Sequence, residues 1–141
     1  MTEDNVTSKN QRVPEDIAEE EFQRFAEEME IDVDESKMFG EDRDNFLNLK
    51  RKFLGAVIRG RLVVNDNGEP EFTSSTGEHF TFYEPSGATV TEMDKIGKKG
   101  GDVAKTHKVM ASAMRVSPAA ICKLPQRDYK VLQAIFALFM D

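Results

Sequence analysis

Residues 61–83 read RLVVNDNGEPEFTSSTGEHFTFY, and this stretch decides the fold of the chain. Its opening part, residues 61–65, has the β-rich composition of a strand. Asp66-Asn67-Gly68 follows. This tripeptide is a strong hairpin signal, because Asn and Gly adopt positive φ at low cost. A second strand over residues 71–74 is therefore predicted to pair back on the first.

A third strand follows the second after another turn, Thr76-Gly77. Residues 79–83 (HFTFY) alternate in polarity, and Glu84-Pro85 ends the pattern because Pro lacks the N–H that a ladder needs. The centre of the chain is thus predicted to be a three-stranded antiparallel meander. Such a sheet is stable only when one face is covered. We therefore predict an α+β fold, with helices flanking the meander and a mostly helical C-terminal half.

Two helices are predicted on the N-terminal side of the sheet. Pro14 suits the first position of one of them, because its missing N–H has no partner there, and this helix should end near Glu30. A second amphipathic helix is predicted over residues 42–59, closed by Gly60. The apolar stripe of the first helix has spacings of four, three and four and consists of Ala18, Phe22, Phe25 and Met29.

The chain after Gly87 is predicted to be helical almost throughout. Residues 97–102 (GKKGGD) interrupt the helices as a flexible break, and the Asp at their end suits an N-cap. Ser117-Pro118 and Leu124-Pro125 each restart a helix with Pro at its first position. The predicted helices are residues 90–96, a helix from Asp102, a short one from Pro118 and a last one over residues 126–140.

The 141 residues allow one core and an appendage. We predict a disordered N-terminal tail (1–13), an acidic helical arm and linker (14–44) and a single α+β domain (45–141). Residues 1–44 hold 16 acids and 5 bases, a net charge of −11, whereas residues 45–141 hold 10 acids and 14 bases, a net of +4. An acidic arm on a mildly basic body either folds back on it, competes for its partner or serves only solubility.

The residues that could support catalysis are few: two histidines and one cysteine. His79 falls in a predicted strand and His107 on the apolar side of a helix, where a packed or half-exposed histidine is the common case. Cys122 has no CxxC partner, so a buried thiol is expected. We predict no catalytic residue and no enzyme activity.

Ligand motifs are also missing. Asp32, Asp34 and Ser36 have the spacing of a calcium loop, but Lys37 replaces the required Gly and Arg43 the bidentate Glu. The Gly-rich break lacks the phosphate-loop pattern, and the basic residues do not interleave with aromatic ones. We predict no metal, no cofactor and no nucleic acid as ligand.

A lone cysteine cannot form an intramolecular disulfide, and the N-terminus lacks both the basic start and the apolar run of a signal peptide. The longest apolar stretch, residues 131–140, is far shorter than the roughly 20 residues of a membrane span. We therefore expect a cytoplasmic location without a membrane partner.

The last helix is the most informative feature. It is apolar nearly all round, so it must be buried on all sides. On a short chain we expect part of this surface to meet another copy or a client protein, giving a homo-oligomer. The alternative is that the helix lies wholly in the core. The predicted partner-binding residues of this helix are Leu132, Ile135, Phe136, Leu138, Phe139 and Met140.

Residues 80–92 (FTFYEPSGATVTE) resemble the signature of phage tail assembly chaperones of the Mu and P2 type. In that family a strand ends in an Arg-Glu-Pro-like step, after which a small residue, a Gly and a helix follow; here Tyr83 replaces the arginine. The resemblance covers residues 60–141 and adds three predicted partner-binding residues, Phe82, Glu84 and Pro85. Its other matching positions are Gly87, Ala88, Ile121, Leu124, Asp128, Leu132, Ile135 and Phe139.

The resemblance implies a non-enzymatic role in the host cytoplasm. Several copies of such a chaperone coat the aggregation-prone tape measure protein and keep it soluble until the tail tube assembles. Two alternatives stay open: a structural virion or scaffold protein with the last helix as a subunit contact, and an acidic decoy or regulatory protein that uses residues 15–44.

Overall fold

The computed structural model describes residues 13–96 and 103–139, and a three-stranded antiparallel sheet lies in the middle of this chain. Its strands, hydrogen-bonded in sequence order, are β1 (Leu62–Val64), β2 (Pro70–Thr73) and β3 (His79–Thr81). Leu62 pairs with Phe72, and Phe72 pairs with Phe80. These three side chains share one face, and all are buried. The predicted meander and the α+β class are confirmed.

Two helices precede the sheet: α1 (Glu15–Glu28) and α2 (Gly40–Ile58), with a short 3-10 helix (Glu35–Lys37) between them. Glu15 and Asp16 occupy the first turn of α1, where they favour the positive end of the helix dipole. The predicted tail of residues 1–13 lies outside the described residues except for Val13. The N–H of Val13 donates to the carbonyl of Ile58 at 2.9 Å, and its side chain packs against the core.

Four helices follow the sheet: α3 (Gly87–Ile96), α4 (Val103–Met114), α5 (Pro118–Cys122) and α6 (Gln126–Phe139). α3 begins three residues before the predicted Val90, because the Ser86 hydroxyl accepts a hydrogen bond from the N–H of Thr89 and caps the helix there. The predicted break at residues 97–102, including the Asp102 cap, lies outside the described residues.

The third strand is shorter than predicted: it ends at Thr81 rather than at Tyr83. The register places Phe82 opposite Pro70, and the Phe82 N–H donates to the Pro70 carbonyl at 2.8 Å. Pro70 has no N–H with which to return the second bond of that pair. The ladder therefore stops where β2 begins.

The first hairpin turn depends on Gly68, whose φ is +82°. The Asn65 side-chain oxygen accepts hydrogen bonds from the N–H groups of Asn67 and Glu69 at 2.9 Å each and so shapes the turn. A Cβ at position 68 would overlap the Cβ of Glu28 on α1. Glycine is thus required both for the backbone conformation and for the close approach of the helix.

The core is organised around Phe53 of α2. Its ring lies 5.1 Å from that of Phe22, edge to face, and 5.2 Å from that of Phe25, stacked. All three side chains are fully buried. Phe25 also meets Phe139 of α6 at 5.4 Å. The helix of the predicted acidic arm therefore shares the core of the predicted domain.

Replacing Phe53 by Ala removes the ring that joins α1 to α2. We expect the free energy of unfolding to fall by about 3–5 kcal/mol, measured by denaturant unfolding. The matched control is Phe39→Ala, because Phe39 is 79% exposed and should change stability by less than about 0.5 kcal/mol. Equal losses in the two variants would contradict this account of the core.

Candidate partner-binding surface

The predicted partner-binding residues of the last helix lie inside the chain's own core. Leu132, Ile135 and Leu138 are fully buried and Phe136 is 3% exposed. Phe139 is partly buried, stacked on the ring of Phe82 at 6.1 Å. Met140 is outside the described residues. In this structure α6 packs against α2 and against the aromatic side chains of Phe25 and Phe82. The described residues of this group therefore present no open apolar face, and their role in partner binding stays a prediction.

The residues predicted from the family resemblance divide into buried and exposed ones. Phe82 is fully buried, whereas Glu84 is exposed and Pro85 half-buried. Between them, the ring of Tyr83 lies under the guanidinium of Arg115, 3.9 Å from its centroid. This cation–π contact holds the segment between β3 and α3 against the end of α4. Glu84 and Pro85 are thus the members of this group that face solvent.

Asp128 joins the sheet to α6. Its carboxylate is 2% exposed and accepts hydrogen bonds from the backbone N–H of Ser75 at 3.0 Å and from the Ser75 hydroxyl at 2.6 Å. The guanidinium of Arg61 lies 3.5 Å away. A buried carboxylate is tolerated when it is paired and hydrogen-bonded in this way. Asp128 therefore fixes the turn between β2 and β3 onto the first turn of α6.

Cys122 corrects the prediction of a buried thiol, because its side chain is exposed. The helix α5 is a single turn with Ile121 as its buried residue, and the next position points away from the core. The sulfur lies 3.3 Å from Nδ1 of His107, whose Nε2 is 3.1 Å from the Tyr129 hydroxyl. Burial, followed by the nearby Cys122, raises the pKa of Tyr129. This contact was not predicted from the sequence, because 15 positions separate His107 from Cys122.

Lys50 of α2 forms ion pairs with acidic residues of α1 and of the short 3-10 helix. Its side chain is 14% exposed, and the ammonium group lies 3.2 Å from a Glu19 carboxylate oxygen and 3.0 Å from one of Glu35. The ammonium also sits over the Phe22 ring, 5.4 Å from its centroid. Burial by itself lowers the pKa of Lys50. The hydrogen bonds and charges of Glu35 and Glu19 outweigh burial, so the pKa is raised above 10.5.

A cationic groove of about 550 Å³ lies between α2 and α6. Its floor is formed by Ala56, Phe72, Asp128 and Val131. Among the described residues, Arg61 is the only one of its cations that pairs with a carboxylate. The cations that line it are Arg51, Lys52, Arg59, Arg61, Arg127 and Lys130.

An apolar groove of about 340 Å³ runs along the neighbouring side of α2, beside the start of α1. Leu47, Leu54 and Ile58 line it, all half-buried. Gly55 and Arg51 border both this groove and the cationic one. Neither groove was predicted from the sequence. The signal that could have indicated them was Gly55, a glycine inside a helical apolar pattern.

Within the described ranges, no group of three or more His, Cys, Asp or Glu side chains is arranged to hold a metal ion. None of the helices described here is long and apolar enough to cross a bilayer. In the comparisons with known proteins, no family model, curated protein or solved structure matches this chain.

Replacing Lys50 by Met keeps the packing on Phe22 but removes the charge. We expect a loss of about 1 kcal/mol near neutral pH, against almost none for Lys130→Met, an exposed lysine without an ion pair among the described residues. Because the folded-state pKa lies above the unfolded one, this contribution is fully present below pH 10.5 and is lost as pH rises through the raised value. Denaturant unfolding at pH 8 and pH 11 tests this, and a difference from wild type that does not shrink at pH 11 would contradict it.

Replacing Asp128 by Asn keeps the side-chain shape but removes the charge that faces Ser75 and Arg61. We expect the free energy of unfolding to fall by about 2 kcal/mol, since hydrogen bonds to a buried charged group are among the stronger ones. Glu78→Gln, in the exposed turn beside it, serves as the control and should be neutral. If the Asp128→Asn variant is as stable as wild type in thermal unfolding, Asp128 does not hold the turn.

Proposed function

We propose that this chain is a non-catalytic binding protein, a phage tail assembly chaperone that holds helical segments of a tape measure protein in the apolar groove of α2. The observation that carries the proposal is this groove. The likeness of residues 80–92 to the tail assembly chaperones supplies the identity of the client.

The groove has the form that a helical client needs. Leu47, Leu54 and Ile58 are separated by seven and four positions, so they follow one face of α2. An amphipathic helix that lies along α2 would cover all three with its own apolar stripe. Arg51 is exposed and stands at the edge of the same groove, where it can pair with an acidic side chain of the client.

Gly55 lies in the middle of this surface, and the packing of the chain itself does not explain it. A Cβ at this position would meet only the Arg59 guanidinium, at 3.2 Å, which is the end of a flexible and exposed side chain. Glycine inside a helix costs about 1 kcal/mol relative to alanine. A glycine here does allow the backbone of a second helix to approach α2 closely. This supports a partner that lies across position 55.

The positions that carry the family resemblance have separate roles in this proposal. Phe82 and Asp128 serve folding, since one packs on Phe139 and the other holds the turn at Ser75. Glu84 and Pro85 are the members that can reach a partner from the surface. The chaperone and the alternative of a structural virion or scaffold protein both expected a contact through α6, whose apolar side chains are buried. In this proposal the apolar groove of α2 takes the place of that contact.

A second candidate, an acidic decoy or regulatory protein, is favoured by one observation. Asp16, Glu20 and Glu27 lie exposed along one side of α1, opposite its buried face. We call this side the acidic ridge. A basic protein that copurifies with wild type, but not with a Glu20→Lys, Glu27→Lys variant, would favour this candidate over the chaperone.

The chaperone proposal is tested by coexpression with a tape measure fragment from the same genome. Gly55→Leu fills the groove with a good helix former, so we expect it to fold with at least wild-type stability and to lose copurification and solubilisation of the fragment. Gly55→Ala is the control: it should be about 0.5–1 kcal/mol more stable than wild type and bind better than the Leu variant. If wild type leaves the fragment insoluble, the proposal fails. If Gly55→Leu binds as wild type does, the groove is not the site.

A further inference from the structure

The cationic groove brings six cations together on a chain whose net charge is −7. Arg51, Arg59, Arg127 and Lys130 are exposed, and none of them pairs with a carboxylate of the described residues. Like charges held this close repel one another, at a cost to the folded state. An anionic ligand would relieve that repulsion.

The same chain carries a surface of opposite charge. Residues 15–44 hold 14 acids and 3 bases, a net charge of −11. The acidic ridge of α1 is one part of this charge, and its ends, Asp16 and Glu27, lie about 16 Å apart along the helix axis. Ile17, an exposed large apolar side chain at 42% exposure, flanks the ridge.

We propose that the acidic ridge of one copy docks in the cationic groove of a second copy. The rim of the groove would pair with Asp16, Glu20 and Glu27, and Ile17 would rest on the apolar part of the floor beside Val131. The ridge cannot reach the groove of its own chain, because the opposite face of α1 is held in the core by Phe22 and Phe25.

A second copy fits this groove better than a nucleic acid does. The floor is largely apolar, with Ala56, Phe72 and Val131, which suits a helix that carries an apolar side chain among its acids. Aromatic side chains on which bases could stack do not line the rim of the groove among the described residues.

The contact joins two different surfaces, so it is heterologous. Each copy keeps a free groove or a free ridge after the first contact, and the assembly grows into an open row or a ring rather than closing as a two-fold dimer. The cationic groove shares Arg51 and Gly55 with the apolar groove, but Arg127 and Lys130 line the cationic groove alone. Changes at these two residues therefore leave the client surface intact.

The test uses two charge-reversed variants of the full chain and sedimentation velocity without any client. Arg127→Glu with Lys130→Glu reverses the groove, and Glu20→Lys with Glu27→Lys reverses the ridge. Acids near the start of α6 and a base in the last turn of α1 favour the helix dipoles, so both variants should fold. Circular dichroism and thermal unfolding check this.

We expect wild type to associate in 0.1 M salt and to weaken on the order of tenfold in 1 M salt, where the screening length falls to about 3 Å. Each variant alone should be monomeric under the same conditions. A mixture of the two should associate again, since each reversed surface then meets one of opposite charge. Two controls with the same changes of net charge should behave as wild type: Lys108→Glu with Lys123→Glu, and Asp66→Lys with Glu78→Lys.

Wild type that stays monomeric at high micromolar concentration in 0.1 M salt would overturn the proposal. So would variants that associate as wild type does, or a mixture that stays monomeric. If wild type is monomeric yet binds polyglutamate, and the groove variant does not, the groove serves an acidic partner other than a second copy. Coexpression with the tape measure fragment is an independent experiment. In it, the variant Arg127→Glu with Lys130→Glu should keep the fragment soluble as wild type does.

Discussion

The packing of Phe53 between Phe22 and Phe25 is the interaction on which the rest of this structure depends. It joins α1 to α2 with two ring contacts near 5 Å, and Phe25 extends the cluster to Phe139 of α6. Offset and edge-to-face pairs of this kind add about 0.5–1.5 kcal/mol each beyond the burial of their area. Without α1 in place, α6 would lack a cover on this side. The helix of the predicted acidic arm thus contributes Phe22 and Phe25 to the core.

The packing of α1 also determines where the charged side chains of the protein lie, because its aromatic side faces the core. The acids of α1 are exposed apart from the half-buried Glu21, and Glu19 together with Glu35 neutralises Lys50. The cations further along α2 find no such partners among the described residues. They lie beside those of α6 and form the rim of the cationic groove. The helix α2 therefore borders three surfaces: the acids Glu19 and Glu35, the apolar groove and the cationic groove.

The last helix shows where sequence reasoning stops. Its all-round apolar character predicted burial, and the structure has it buried. The pattern could not say whether the cover comes from another copy or from the chain itself. We expected part of this cover to come from another copy or a client protein, whereas Phe25 of α1 and Phe82 supply contacts to Phe139 from within the chain. Cys122 is a similar case, since a one-turn helix can bury one residue and leave its neighbour in solvent.

The local physics of the sequence determined the meander, the α+β class and the approximate positions of the helices. Turn residues such as Asn67 and Gly68, helix-starting prolines and apolar spacing act over a few positions, so they can be read directly from the chain. Only the tertiary structure decided which surfaces are open. The pairing of Arg61 with Asp128, the contact of His107 with Cys122 and the meeting of Arg59 with Arg127 across a groove join residues 15 to 68 positions apart. Such distances are set by how α1, α2 and α6 pack, and no local pattern encodes them.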